Sequence, residues 1–167
     1  TLHLFCLLSD GGVHSHIDHL LAMMELAKKE NIKDLYLHLF LDGRDVAPQS
    51  SEKYIKIIND KINELKLGVI ATLSGRYYAM DRDKNFDRIY KAYKAMVDLS
   101  GNSFDDPISY VKDEYVRLKN DAWESSDEFV MPAYNKKLSK GIQNNDSIVF
   151  LNFRPDRAIE ISTMITN

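Results

Sequence analysis

A chain of 167 residues, 44% hydrophobic and 28% charged, has the size and make-up of one globular domain with its own core. Its net charge of −3 excludes the clustered basic excess of a nucleic-acid binder. No apolar run approaches the roughly 20 residues of a membrane helix, and a single cysteine excludes an internal disulfide and fits a reducing, cytoplasmic setting.

Residues 2–8 read as a buried strand, with Cys6 a small hydrophobe inside it. This opening run lacks the basic flank and cleavage site of a signal peptide. It begins at Thr1 rather than Met, and the chain ends at Asn167 within a helical pattern, so the sequence reads as a piece of a longer polypeptide. Ser9-Asp10-Gly11-Gly12 signals a turn, and Ile17, Leu20, Leu21, Met24 and Ala27 then follow helical spacing. A second strand over 35–41 stops at Asp42-Gly43-Arg44-Asp45. Ser50 or Ser51 is placed to cap a helix whose Tyr54, Ile58, Ile62 and Leu65 share a face, with Gly68 fitting its end. Residues 69–73 give a third strand, followed by Ser74-Gly75-Arg76. Phe86, Ile89, Tyr93 and Met96 mark a further helix. Asp106-Pro107 starts another, with Ile108, Val111, Tyr115 and Leu118 as its apolar face. The stretch 120–146 is poorly patterned, with 128–131 read as a short strand before Pro132. Residues 147–153 form a strand leading to Arg154-Pro155-Asp156-Arg157 and a last helix.

Strands alternating with helices predict a single-domain, three-layer α/β fold with a largely parallel sheet flanked by helices. Ligands of such sheets bind beyond the carboxyl ends of the strands. Four strands here end in polar loops bearing glycine, histidine or arginine, and parallel strands would gather those loops at one edge. The 22 basic residues are 15 lysines and 7 arginines. Lysines, with Arg88 and Arg117, fall on helices and turns and read as solvated faces. Arg44, Arg76, Arg82, Arg154 and Arg157 lie in or just beyond the strand-end loops. A planar guanidinium suits bidentate recognition of carboxylate or phosphate, so the set points to a small anion. The plainer alternative is that each arginine pairs with a neighbouring aspartate, and that Asp42-Gly43-Arg44-Asp45 is a turn with a surface ion pair. His14-Ser15-His16-Ile17-Asp18-His19 has the H-x-H-x-D-H spacing of zinc hydrolases, but no histidine follows His38 to complete such a site. That leaves His14, nearest the glycines, as the histidine placed in the pocket.

The segments Asp10–His16, His38–Asp45, Gly75–Asp83 and Asn152–Arg157 together resemble, in order and spacing, the cofactor-independent (2,3-bisphosphoglycerate-independent) phosphoglycerate mutases. The resemblance implies an enzyme interconverting 3-phosphoglycerate and 2-phosphoglycerate through a phosphoserine, in glycolysis and gluconeogenesis. It implies that residues 1–167 are the inserted transferase domain alone. The serine nucleophile and two metal ions, usually manganese, would then sit in a phosphatase-like domain of the same, monomeric, parent polypeptide, with no metal bound by this chain. Carried over by position, the substrate contacts are His14, Arg44, Asp45, Arg76, Arg82, Arg154 and Arg157. Asp45, steered by Arg44, is the implied general base and acid, and Arg76 and Arg82 clamp the glycerate carboxylate. Asp42 and Gly43 shape the loop. A non-catalytic anion-binding module is the alternative of a different class.

Overall fold

In the computed structural model, which describes residues 1–121 and 124–167, six strands form one sheet in the order β4-β5-β3-β2-β1-β6 among the described residues. The strands are β1 (Leu2–Leu8), β2 (Leu35–Leu41), β3 (Val69–Gly75), β4 (Asn102–Phe104), β5 (Ala133–Asn135) and β6 (Ser147–Phe150). β6, β1, β2 and β3 run parallel, and β5 is antiparallel to β3. The helices are α1 (Ile17–Lys29), α2 (Ser51–Leu65), α3 (Arg76–Ala79), α4 (Phe86–Val97), α5 (Pro107–Asn120) and α6 (Ile159–Thr166).

Period-two alternation in the strands builds a core on each face. Leu4, Cys6 and Leu8 of β1, with Leu35, Leu37, Leu39 and Leu41 of β2, face α1, α2 and α5. Phe5, Leu7 and Phe40 face α3, α4 and α6. This is the expected three-layer α/β arrangement. Because β3, β2, β1 and β6 are parallel neighbours, the loops after them emerge on one edge.

Several local expectations are revised. The strand read over 128–131 is instead a 3₁₀ turn, Asp127–Phe129, and the short strand follows it as β5. Its backbone bonds locally, with Glu128 N donating to Ser126 Oγ and Val130 N to Asp127 O. The last strand stops at Phe150 rather than 153. Beyond it Leu7 N donates to the Asn152 side chain, which replaces the next backbone acceptor of the ladder. Strand β3 runs on to Gly75, and α3 follows without a break. α2 begins after Ser50 as expected, but Ser50 makes no side-chain cap. Asp127 does so from 76 residues away, accepting from Ser51 N and Oγ at 2.9 and 2.7 Å, and from Ser50 N and Tyr115 Oη. Its other end is closed by Lys66 in the left-handed region, two residues before Gly68.

A polar thread crosses the otherwise apolar α4 face. His3 Nε2 meets Asp146 Oδ2 at 3.0 Å, His3 Nδ1 meets His38 Nε2 at 2.9 Å, and His38 Nδ1 meets Thr72 Oγ1 at 2.9 Å. Burial lowers the pKa of both rings, His38 strongly, so both are neutral at pH 7. With Asp146 accepting from His3, the proton donors then run in one direction, from Thr72 through His38 and His3 to Asp146. Thr72→Val strips the last donor and leaves a buried ring nitrogen unpaired, so it is expected to cost about 1–3 kcal/mol, measured by urea unfolding.

Candidate functional site

The site begins at the buried Asp42, the first residue past β2. Its Oδ2 accepts from Ser9 Oγ at 2.6 Å, at the end of β1. Its Oδ1 accepts from Arg44 N at 3.2 Å, Asp45 N at 3.0 Å and Arg76 Nη1 at 2.6 Å, the last from the end of β3. One carboxylate thus ties three adjacent strand ends together. Burial pushes its pKa up, but the Asp45 N–H, the Ser9 hydroxyl and Arg76 outweigh that and hold it below the ordinary value.

Asp45 lies beside it. Its Oδ2 accepts from the same Arg76 Nη1 at 2.7 Å. Arg76, itself buried, is therefore shared by two carboxylates, whose combined attraction outweighs its desolvation and raises its pKa. The partner of Asp45 is Arg76 and not Arg44. The Arg44 side chain is 59% exposed and reaches toward Glu128, 3.9 Å away.

Two glycines allow a wall to close on this cluster. Gly43 has φ +62, and a Cβ there would lie 2.5 Å from Ser126 Oγ. A Cβ on Gly75 would strike the Glu128 carbonyl, and Gly75 N donates to Val130 O at 2.8 Å. Residues 126–130 therefore pack against both strand ends. Between this wall and the loops lies a cavity of ≈ 260 Å³, lined by Arg44, Arg76, Arg88, Arg157 and Glu128 among others. Arg88 is a correction to the solvated-face reading. It bonds Asp81 at 3.1 Å and its guanidinium stacks 3.9 Å over the Tyr77 ring. Arg117 is likewise held, by the buried Glu114 through two 2.7 Å bonds. Arg157 donates to Met80 O at 3.1 Å. Burial, and then the repulsion of Arg82, Arg76 and Arg44, lower its pKa, which is the signature of several cations crowded together.

The other predicted residues adjoin the cavity. His14 is buried, and its carbonyl accepts from Phe153 N at 2.8 Å, pinning the loop after β6 to the loop after β1. Burial and then Arg76 lower its pKa, so the ring is neutral at pH 7. Arg82 and Arg154 both bond Asp156. All seven residues read from the sequence thus lie at the same sheet edge, in two adjoining groups. Arg88, Glu128, Ser9 and the wall at 126–130 were not picked out. Their places depend on contacts across the chain.

The three clustered histidines have separate tasks. His16 caps α1 by accepting from Asp18 N, His19 meets Phe153 edge to face with ring centroids 5.8 Å apart, and His14 faces Asp156. Among the described residues no three His, Cys, Asp or Glu side chains converge as a metal-ligand set, and no helix is long and apolar enough to cross a membrane.

A cavity lined by arginines, beside the Asp42–Asp45–Arg76 cluster, has the chemistry to bind a small polyanion near a carboxylate that could accept a proton. The family described as the BPG-independent PGAM N-terminus matches residues 1–167. The chain is 54% identical over 169 residues to proteins named 2,3-bisphosphoglycerate-independent phosphoglycerate mutase from Listeria monocytogenes serotype 4b and Listeria welshimeri serovar 6b. The match takes in 99% of this chain and 32% of each relative's length. A crystal structure of Leishmania mexicana phosphoglycerate mutase at low cobalt concentration superposes with a TM-score of 0.90 at 27% identity, over 99% of this chain and 31% of that one.

The depressed Asp42 carboxyl fixes a pH dependence. Its stabilisation is present above the ordinary carboxylate value, about 3.9, and is lost as pH falls through the lower folded-state value. Asp42→Asn is therefore expected to cost about 3 kcal/mol at pH 7 and much less at pH 2, so its stability profile is flatter on the acid side. Urea midpoints of both proteins across that range check this. Parallel profiles would contradict it.

Proposed function

The chain belongs to the family of BPG-independent phosphoglycerate mutase N-terminal domains, and from that premise we propose that it is the substrate-orienting part of an enzyme interconverting 3-phosphoglycerate and 2-phosphoglycerate. The chain spans about a third of the length of its relatives. In this reading the remaining polypeptide supplies the serine that carries the phosphoryl group in transit, and two divalent metal ions, manganese among the candidates. Among the described residues no side chains form a metal-ligand set. The observation that carries the reading is the convergence of His14, Arg44, Asp45, Arg76, Arg82, Arg154 and Arg157 from four strand-end loops.

When the phosphoryl group moves to the serine, glycerate remains with two hydroxyls and one carboxylate. The chemistry then asks three things of this chain. It must keep glycerate bound, let it turn, and exchange a proton with whichever hydroxyl reacts. Arginines on several sides hold the carboxylate and phosphoryl charges bidentately. Asp45 accepts the proton of the attacking hydroxyl and returns it to the departing one. Its placement is rigid, because Arg76 and the Asp42 bond to its own N–H fix both ends of the residue. Arg76, committed to two carboxylates, serves this reading better as the holder of Asp45 than as a free clamp. The better exposed Arg44, Arg82 and Arg154 are the ones able to follow a turning ligand. Neutral His14 can offer one ring N–H to a ligand oxygen. Closure against the rest of the polypeptide would exclude the water that otherwise hydrolyses a phosphoserine. A cytoplasmic, glycolytic role follows from the same reading.

Two outcomes are expected. The 167-residue chain alone gives no interconversion of the phosphoglycerates by ³¹P NMR, since the proposed nucleophile lies elsewhere. In the full-length enzyme, Asp45→Asn lowers kcat by about 10²–10⁴-fold while KM moves little, because proton transfer acts in the transition state. Steady-state kinetics check the second, and an unchanged kcat would remove Asp45 from the mechanism.

A further inference from the structure

One acid in this site has no task in the reaction just described. Asp156 lies between Arg154 and Arg157 in the loop after β6. Its Oδ2 accepts from Arg82 Nη1 at 2.7 Å and from Arg154 Nη2 at 3.1 Å, and its Oδ1 stands 3.0 Å from Arg154 Nε. The same Oδ1 faces His14 Nδ1 at 3.7 Å, too far for a hydrogen bond. Both of those atoms are buried, and neither makes a hydrogen bond among the described residues. His14 comes from the loop after β1 and Arg82 from the loop after α3. A single carboxylate therefore gathers three of the seven proposed substrate contacts, which is the arrangement an anionic ligand would create.

We propose that Asp156 is an internal stand-in for the ligand: it holds Arg82 and Arg154 opposite His14 in the empty site, and surrenders both arginines to the phosphoglycerate that displaces it. The identity of the ligand rests on the function proposed above; the exchange itself rests on the geometry.

Three physical points support exchange over permanent pairing. Arg82 and Arg154 have side chains 41% and 46% exposed, and Asp156 is 33% exposed. Pairs so wetted contribute little and cost little to break. The contrast is Arg76, whose side chain is 4% exposed and whose two carboxylates are close and shielded, so it is held in place. The unpaired buried nitrogen of His14 is the second point. A desolvated polar atom without a partner is unfavourable, and a ligand oxygen entering that gap would satisfy it. The third is repulsion. Arg82, Arg76 and Arg44 stand close enough to Arg157 to disfavour its charge, and an internal anion offsets this until a more highly charged one arrives. A phosphoglycerate brings both a carboxylate and a phosphate dianion, so it outcompetes one aspartate where a simple monocarboxylate does not. Asp156 thereby acts as a specificity-determining residue that sets the charge a ligand needs.

The test is calorimetric titration of the 167-residue chain, whose sheet is covered on both faces by its own helices, with 3-phosphoglycerate and with inorganic phosphate. Asp156→Asn is expected to bind both about threefold or more tightly, and Asp156→Glu, which keeps the charge, to stay near wild type. In an Arg82→Ala background the gain from Asp156→Asn should shrink, because the arginine under competition is gone. A gain that persists in full there would mean only a diffuse charge effect and would overturn the proposal. So would equal or weaker binding by Asp156→Asn. Asp156→Ser gives the same comparison should the asparagine variant fail to fold. If phosphate binds more tightly to the variant while phosphoglycerate binds to neither protein, the stand-in role holds and the substrate reading fails. If phosphoglycerate binds both proteins equally, the reverse is true.

Discussion

The buried carboxylate of Asp42 is the constraint from which the site follows. It accepts four hydrogens, from Ser9, Arg44 N, Asp45 N and Arg76, and these come from the ends of three neighbouring strands. A buried charge left without them would be strongly destabilising, so the loops have little freedom to lie elsewhere. Two consequences reach the chemistry. Asp45 is turned toward Arg76 by the bond to its own N–H. Arg76 is drawn inward between two acids, where it can orient a proton acceptor but not wander after a ligand. What the sequence presents as a turn is the keystone of three loops.

The arginines consequently divide by burial rather than by number. Arg76 is shielded and doubly paired, and Arg88 and Arg117 are fastened to Asp81 and Glu114 on helices. Arg44, Arg82 and Arg154 are half solvated and loosely held. The proposed function, in which an intermediate is retained while it turns, has use for both kinds. Fixed charge would set the field and position the base, and mobile charge would follow the ligand as its geometry changes.

The wall at 126–130 shows how distant parts of the chain share one task. Asp127 caps α2 through Ser50 and Ser51, and burial raises its pKa against those bonds. Ser126 reaches the carbonyl of Gly43 at 3.2 Å, and Glu114 of α5 accepts from Met131 N at 2.8 Å. The wall is thus bolted at both ends, and the glycines at 43 and 75 let it lie directly on the strand tips. Because its backbone groups are satisfied by side chains and by local turns, it carries no periodic pattern. That is why a strand was expected where a 3₁₀ turn stands.

The sequence by itself determined the elements whose hydrogen bonds and buried faces repeat with a short period. Strands β1, β2 and β3, helices α1, α2, α4 and α5, and the parallel α/β architecture that brings four polar loops to one edge were all legible from spacing. The Asp106-Pro107 start of α5 was legible too, because a cap and its target lie three residues apart. From the loops, residue type pointed to five arginines and His14, and the family resemblance completed the set of seven with Asp45. Tertiary structure decided what those residues do to each other. The pairing of Arg76 with Asp42 and Asp45 spans 34 and 31 residues, the capping of Ser51 by Asp127 spans 76, and the bond of Arg82 to Asp156 spans 74. The three-residue strands β4 and β5 likewise exist through their register with each other and with β3. Local patterns record which face of an element is buried. They do not record which partner waits across the fold, because that choice is made by packing and by the cost of leaving a buried charge alone.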